Sequence, residues 1–196
     1  PVLLFGVKFS PAVAGFYAMA NRLSQVPVGI VAGSIRQVFL QKAASINKSG
    51  RGLVKAYLLS VGGLALTGAI PFFCVWLFGQ QAITFLLGDR WIEAGRYIEI
   101  IAPWLFMLWV AAPCHPVLIV LRRQKYWLYL EFFSILLRLS TFGLAYVISL
   151  DPEQTLQAFT IASVIGIAAT ICTALVLISR TVTDASKMTP GINAGK

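Results

Sequence analysis

The chain predicts an all-α, polytopic transmembrane helix bundle of about six helices, the first of them truncated. Three observations carry that expectation. Hydrophobic residues make up 58% of the 196 positions and charged residues only 12%, about half the charge of a soluble domain. The apolar residues fall in blocks, and a bilayer-spanning helix needs roughly 20 such residues at about 1.5 Å each. The basic residues fall on alternate connections between the blocks, as they do where positive loops stay on the cytoplasmic side.

Residues 1–9 read as the tail of a hydrophobic segment cut short. No initiator methionine and no basic-then-apolar leader pattern is present, so no signal peptide is discounted. The chain is therefore expected to be a C-terminal piece of a larger protein. A turn over 10–15 leads to a first complete span at 13–39, which contains Pro27 and a Gly29–Gly33 pair spaced for close helix packing. The next span is 53–78. Residues 80–88 are too short to cross and are expected to lie in the interface, with Ile83, Phe85 and Leu86 in lipid. The span at 93–121 holds Pro103, Pro113 and Pro116, and a helix with three prolines is expected to be bent or broken. Spans at 126–150 and 155–179 complete the transmembrane region, which occupies 1–180. Residues 181–196 are polar with Gly and Pro and are expected to form a disordered cytoplasmic tail.

The net charge of +9 is topological on this view and does not point to nucleic acid. Eleven of the sixteen basic residues lie on one side: Arg36, Lys42, Lys48, Arg51 and Lys55, then Arg122, Arg123 and Lys125, then Arg180, Lys187 and Lys196. The opposite side carries Lys8, Arg90 and Arg96 beside Asp89, Glu93, Asp151 and Glu153. The C-terminus is accordingly expected in the cytoplasm. Trp76, Trp91, Trp104, Tyr97, Tyr126, Trp127, Tyr129 and Tyr146 lie mostly near span ends and read as an aromatic belt. Cys74, Cys114 and Cys172 all fall inside spans and read as small packing residues rather than a disulfide or metal set.

One residue stands apart. Arg138 lies near the centre of the 126–150 span, where a guanidinium costs roughly 3 kcal/mol or more to insert. Glu131, Ser134, Arg138, Thr141 and Ala145 follow at spacings of three, four, three and four, which puts them on one helix face. A polar stripe on an otherwise apolar helix is expected to face a bundle interior or an aqueous cleft, and Arg138, Ser134 and Thr141 are candidate substrate-binding residues. Glu131 lies about two turns, roughly 10 Å, from Arg138 and reads as its ion-pair partner or a snorkelling group, less readily as a coupling group. The alternative is that Arg138 serves only this structural pair. A second polar cluster, Asn21, Arg22, Ser24 and Gln25, precedes Pro27. Arg22 and Gln25 are candidates for the same role, with interfacial snorkelling of Arg22 as the alternative. His115, the single histidine, reads as a packing residue. No P-loop, HExxH or GxSxG occurs. No enzyme activity, metal or cofactor is expected.

The stretch PVLLFGVKFSPAVAGFYAMANRLSQVPVGIVAGSIRQVFLQKAA resembles the middle of bacterial polysaccharide transporters, the O-antigen and exopolysaccharide flippases of the multidrug/oligosaccharidyl-lipid/polysaccharide exporter superfamily. GDRWIEAGRYIEIIAPWLFMLWVAAPCHPVLIVLRRQK is similar to the segment that follows in that family. The resemblance covers nearly the whole chain except the tail. It implies the second lobe of a two-lobe transporter in the bacterial inner membrane, with a missing N-terminal lobe and membrane lipids as partners. It also implies translocation of an oligosaccharide carried on a polyprenyl pyrophosphate, by alternating access around a cationic cavity. Arg22 and Arg138 are the positions that could meet the anionic head. Three alternatives remain: an exporter of cationic drugs, which calls for an acidic or aromatic cavity; a membrane polysaccharide polymerase, which calls for a long external loop; and a purely structural subunit.

Overall fold

The computed structural model describes residues 2–46 and 51–187, with side chains described for 2–42 and 52–181. Seven α-helices follow one another without a strand among the described residues: α1 Val2–Lys8, α2 Pro11–Ile46, α3 Arg51–Leu87, α4 Ile92–Val110, α5 Cys114–Val120, α6 Gln124–Val147 and α7 Pro152–Lys187. Among the described residues five stretches are long and apolar enough to cross a membrane, with α4 and α5 sharing one. Together with short α1 this gives the expected six segments. The chain is a multi-pass membrane protein, and the many large apolar side chains exposed on α2, α3 and α6 suit hydrocarbon rather than water.

Local chemistry sets the boundaries. Ser10 accepts the Val13 amide on its hydroxyl at 3.3 Å, and Pro11 opens α2. A serine cap followed by proline at the first helical position meets the unsatisfied donors of a helix start. Lys8, at the end of α1, donates to the Ala145 and Leu150 carbonyls, placing a cation on the last turn of α6. The α5–α6 and α6–α7 turns are tight, with Arg122 and Ser149 both left-handed at φ 53°.

Two expectations change and one holds. Residues 80–87 are not a separate interfacial piece, because α3 runs unbroken through Leu87. The Gln80 backbone N–H donates to the Glu99 carboxylate of α4 at 2.8 Å, which ties this stretch to the bundle. The helix ends where Gly88 turns left-handed at φ 87°. The proline-rich span does break, between α4 and α5 over 111–113, while Pro103 is accommodated inside α4. α7 continues through Lys187, seven residues into the stretch expected to be tail; 188–196 lie outside the described residues.

α4 is the centre of the bundle, packed by α2, α3 and α7. Its approach to α3 depends on Gly95, where an added Cβ would fall 2.7 Å from the Gln80 Cα. Gly29 and Gly33, the pair spaced for helix packing, have nothing within 4 Å of where a Cβ would stand, so that contact is absent among the described residues. One apolar core gathers Phe5, Tyr17, Ile101, Leu105, Leu156 and Phe159. A second gathers Phe39, Leu53, Tyr57, Cys114, Val117 and Ile178. Tyr57 donates to the Ile171 carbonyl at 3.0 Å and lies 3.2 Å from the Cys114 sulfur. All three cysteines are free.

The bundle has an acidic end and a basic end. At the acidic end Arg96 of α4 pairs with Glu153 of α7 at 2.9 Å, and Lys8 meets the end of α6. At the basic end Arg36 of α2 shares a cavity wall with His115 and Trp127, while Arg123 and Lys125 flank the Tyr126 ring.

Candidate functional site

Residues of α1, α2, α4, α6 and α7 line a partly open cavity of about 440 Å³. Arg138 lines it from α6, Asn21 and Gln25 from α2, and Trp104 from α4; Tyr17, Phe142 and Phe159 complete much of the wall. The helix repeat brings Tyr17, Asn21 and Gln25 onto one face of α2 at spacings of four. Asn21 accepts a hydrogen bond from the Gln25 amide at 2.7 Å, which fixes the two side chains against each other. Trp104 packs edge-on to Phe159 at 5.6 Å. Phe5 stacks on Tyr17 at 4.8 Å.

The electrostatics of this wall are incomplete. Buried polar atoms are normally hydrogen-bonded. Here the Tyr17 hydroxyl, the Trp104 indole nitrogen and the Arg138 Nε are buried without a partner among the described residues. All three belong to residues lining the same cavity. Each atom is itself closed to water, so it sits within the wall and does not face the open volume. Arg138 Nη1 lies 3.9 Å from Glu131 Oε1, beyond hydrogen-bond length. The guanidinium is therefore attracted to a carboxylate without being saturated by it.

The predicted stripe on α6 does face inward, but its members separate. Ser134 is 3% exposed and presses on Gly166 of α7, so it is a helix contact and not part of the cavity. Thr141 is half-buried and donates to the Arg138 carbonyl at 2.7 Å, an intrahelical bond. Glu131 lines a second cavity of about 330 Å³ toward the basic end, with Arg36, His115 and Trp127. The ion pair thus stands between the two cavities. Arg22 is exposed and lies outside the Arg138 cavity, whereas Gln25 joins it. Ser24 is spent on the Ala20 carbonyl at 2.7 Å. Pro27 lines a separate apolar cavity of about 360 Å³ with Pro71. His115 packs on Trp127 at 5.0 Å.

Tyr17 and Trp104 enter the site without a signal in the sequence. Trp104 and Tyr97, read as belt residues, are buried in the core. Hydropathy alone does not distinguish a tryptophan at a membrane surface from one in a bundle. The polar lining is rich in donors: guanidinium, indole and phenol, with two carboxamides. Such a set suits an anion or a hydroxyl-bearing group. Among the described residues no cluster of three or more His, Cys, Asp or Glu is placed to hold a metal.

No curated protein and no solved structure matches this chain. A family model described as polysaccharide biosynthesis protein matches residues 1–96. That stretch holds α1 to α3 and the start of α4, and so the α2 side of the cavity with Tyr17, Asn21 and Gln25. Over those residues the chain is similar to polysaccharide biosynthesis proteins, and the match supports a role in polysaccharide biosynthesis or transport.

Proposed function

We propose that the chain is one lobe of a transporter that moves a lipid-linked oligosaccharide across the bacterial inner membrane, with its basic end in the cytoplasm. Arg138 receives the anionic pyrophosphate, and Asn21, Gln25, Tyr17 and Trp104 offer hydrogen bonds to it and to the first sugar. The observation that carries this reading is that three residues with unpartnered buried donors, Arg138 among them, line one cavity, beside a family match to polysaccharide biosynthesis. A volume of about 440 Å³ is in the range of small-ligand sites. It suits a head group and a first sugar, while the isoprenoid stays in lipid. The charge offsets the desolvation of the head at hydrocarbon depth.

In this mechanism Glu131 holds the guanidinium near the cavity in the empty state. The incoming anion competes with it for the Arg138 donors. Access then alternates as this lobe rocks against an N-terminal lobe. The role is transport, with no bond made or broken. Replacing Arg138 by Ala is expected to lower polysaccharide export by about thirtyfold or more, the effect of losing a charge-assisted contact, with protein retained in the membrane. Arg138→Lys keeps part of the activity because the charge persists while the planar fork is lost. Undiminished export in Arg138→Ala defeats the assignment.

A further inference from the structure

We infer that the groove between α3, α4 and α7 at the acidic end binds a zwitterionic phospholipid of the ethanolamine type. The groove is separate from the Arg138 cavity and larger, at about 710 Å³. Its polar and apolar walls are ordered as a phospholipid is ordered. Arg96, Glu99 and Glu153 line it, Glu153 in the first turn of α7, Arg96 in the second turn of α4 and Glu99 in its third. Deeper along α7 the wall is Ile161, Val164 and Ile165. In a membrane-spanning bundle these deeper positions lie at hydrocarbon depth, where an acyl chain fills open volume and water does not.

The charges select the head group. Two carboxylates and one guanidinium face the groove, so both signs are present. Arg96 is half exposed and gives Glu153 one of its five donors at 2.9 Å. Its remaining donors suit a phosphate. Glu99 accepts the Gln80 amide through one oxygen at 2.8 Å, which leaves its second oxygen for an ammonium. A head group carrying phosphate and ammonium together matches this pattern. A purely anionic head meets an extra carboxylate.

Thr160 adds an independent observation. It lines the groove, is 5% exposed, and its hydroxyl finds no partner among the described residues. It lies seven residues inward of Glu153, about 10 Å along α7. That depth is just beneath the head-group layer; the hydroxyl oxygen is closed to the groove as it stands, and a rotamer change brings it to the glycerol ester carbonyls of a bound phospholipid, which accept its hydrogen bond. Trp76, half exposed on the rim, suits the same interfacial level.

The test uses native mass spectrometry of the protein released from vesicles of equal phosphatidylethanolamine and phosphatidylglycerol with a trace of polyprenyl phosphate. The expected result is retention of phosphatidylethanolamine in preference to the other two. The Arg96→Ala/Glu153→Gln double variant loses that retention by about tenfold, as for a lost charge-assisted contact. Thr160→Val, nearly isosteric, lowers it with the fold intact. Equal retention of both phospholipids, preferred retention of polyprenyl phosphate, or unchanged retention in both variants overturns the assignment. None of these readouts depends on polysaccharide export.

Discussion

Tyr17 builds the wall of the candidate cavity with its ring and leaves its hydroxyl unpartnered. An unsatisfied buried hydroxyl costs about 1–3 kcal/mol. Tyr17→Phe is therefore expected to leave thermal stability unchanged or raise it by about 1 kcal/mol, while export falls. Thermal unfolding in detergent and an export assay on the same variant check this. A stability loss with normal export would show that the hydroxyl serves the fold. At this scale Arg138 and Gln25 were legible in the sequence, because a charge or amide inside an apolar block is conspicuous wherever the helix turns. Ser134 and Thr141 shared that signal, yet Ser134 packs on α7 and Thr141 bonds to the backbone of its own helix. Spacing places residues on a face, but that face of α6 meets α7 at one level and opens onto cavities at others.

Among the elements, α3 and α4 share the most extensive packing, and Gly95 allows their backbones to approach. Gly95→Ala would bring a methyl to 2.7 Å from α3 backbone, which a flexible side chain cannot relieve. It is expected to destabilise by about 2 kcal/mol through overpacking. Gly29→Ala and Gly33→Ala meet open space and are expected to be neutral or stabilising by about 0.5 kcal/mol, since alanine holds a helix better. Thermal denaturation of the three variants checks the contrast. The GxxxG spacing of the latter pair is a common pattern, and it does not reveal which neighbour, if any, comes close. The same limit applies to residues 80–87. Their polarity suggests a break after the second span, whereas α3 simply continues, with the Gln80 backbone N–H donating to Glu99 of α4.

For the whole molecule, the separation of acidic and basic ends is the feature that orients it. Single cysteines replacing Lys125 and Asp151 are expected to react with a membrane-impermeant thiol reagent from opposite sides, Lys125→Cys from the cytoplasm and Asp151→Cys from outside. Labelling of both from one side would contradict the topology. The sequence by itself determined that the protein is a helical membrane bundle, where its spans lie, and that a buried arginine needs an explanation. These are local properties: the bilayer demands long apolar helices with internally satisfied backbones, and hydropathy along one chain reports them. Only the tertiary structure decided that Tyr17 and Trp104 join Arg138 around one cavity, that Arg22 turns away, and that Arg96, Glu99 and Glu153 line a groove with Thr160. Those outcomes depend on how far each helix rotates about its axis and how closely it meets its neighbours, which residues distant in sequence settle together.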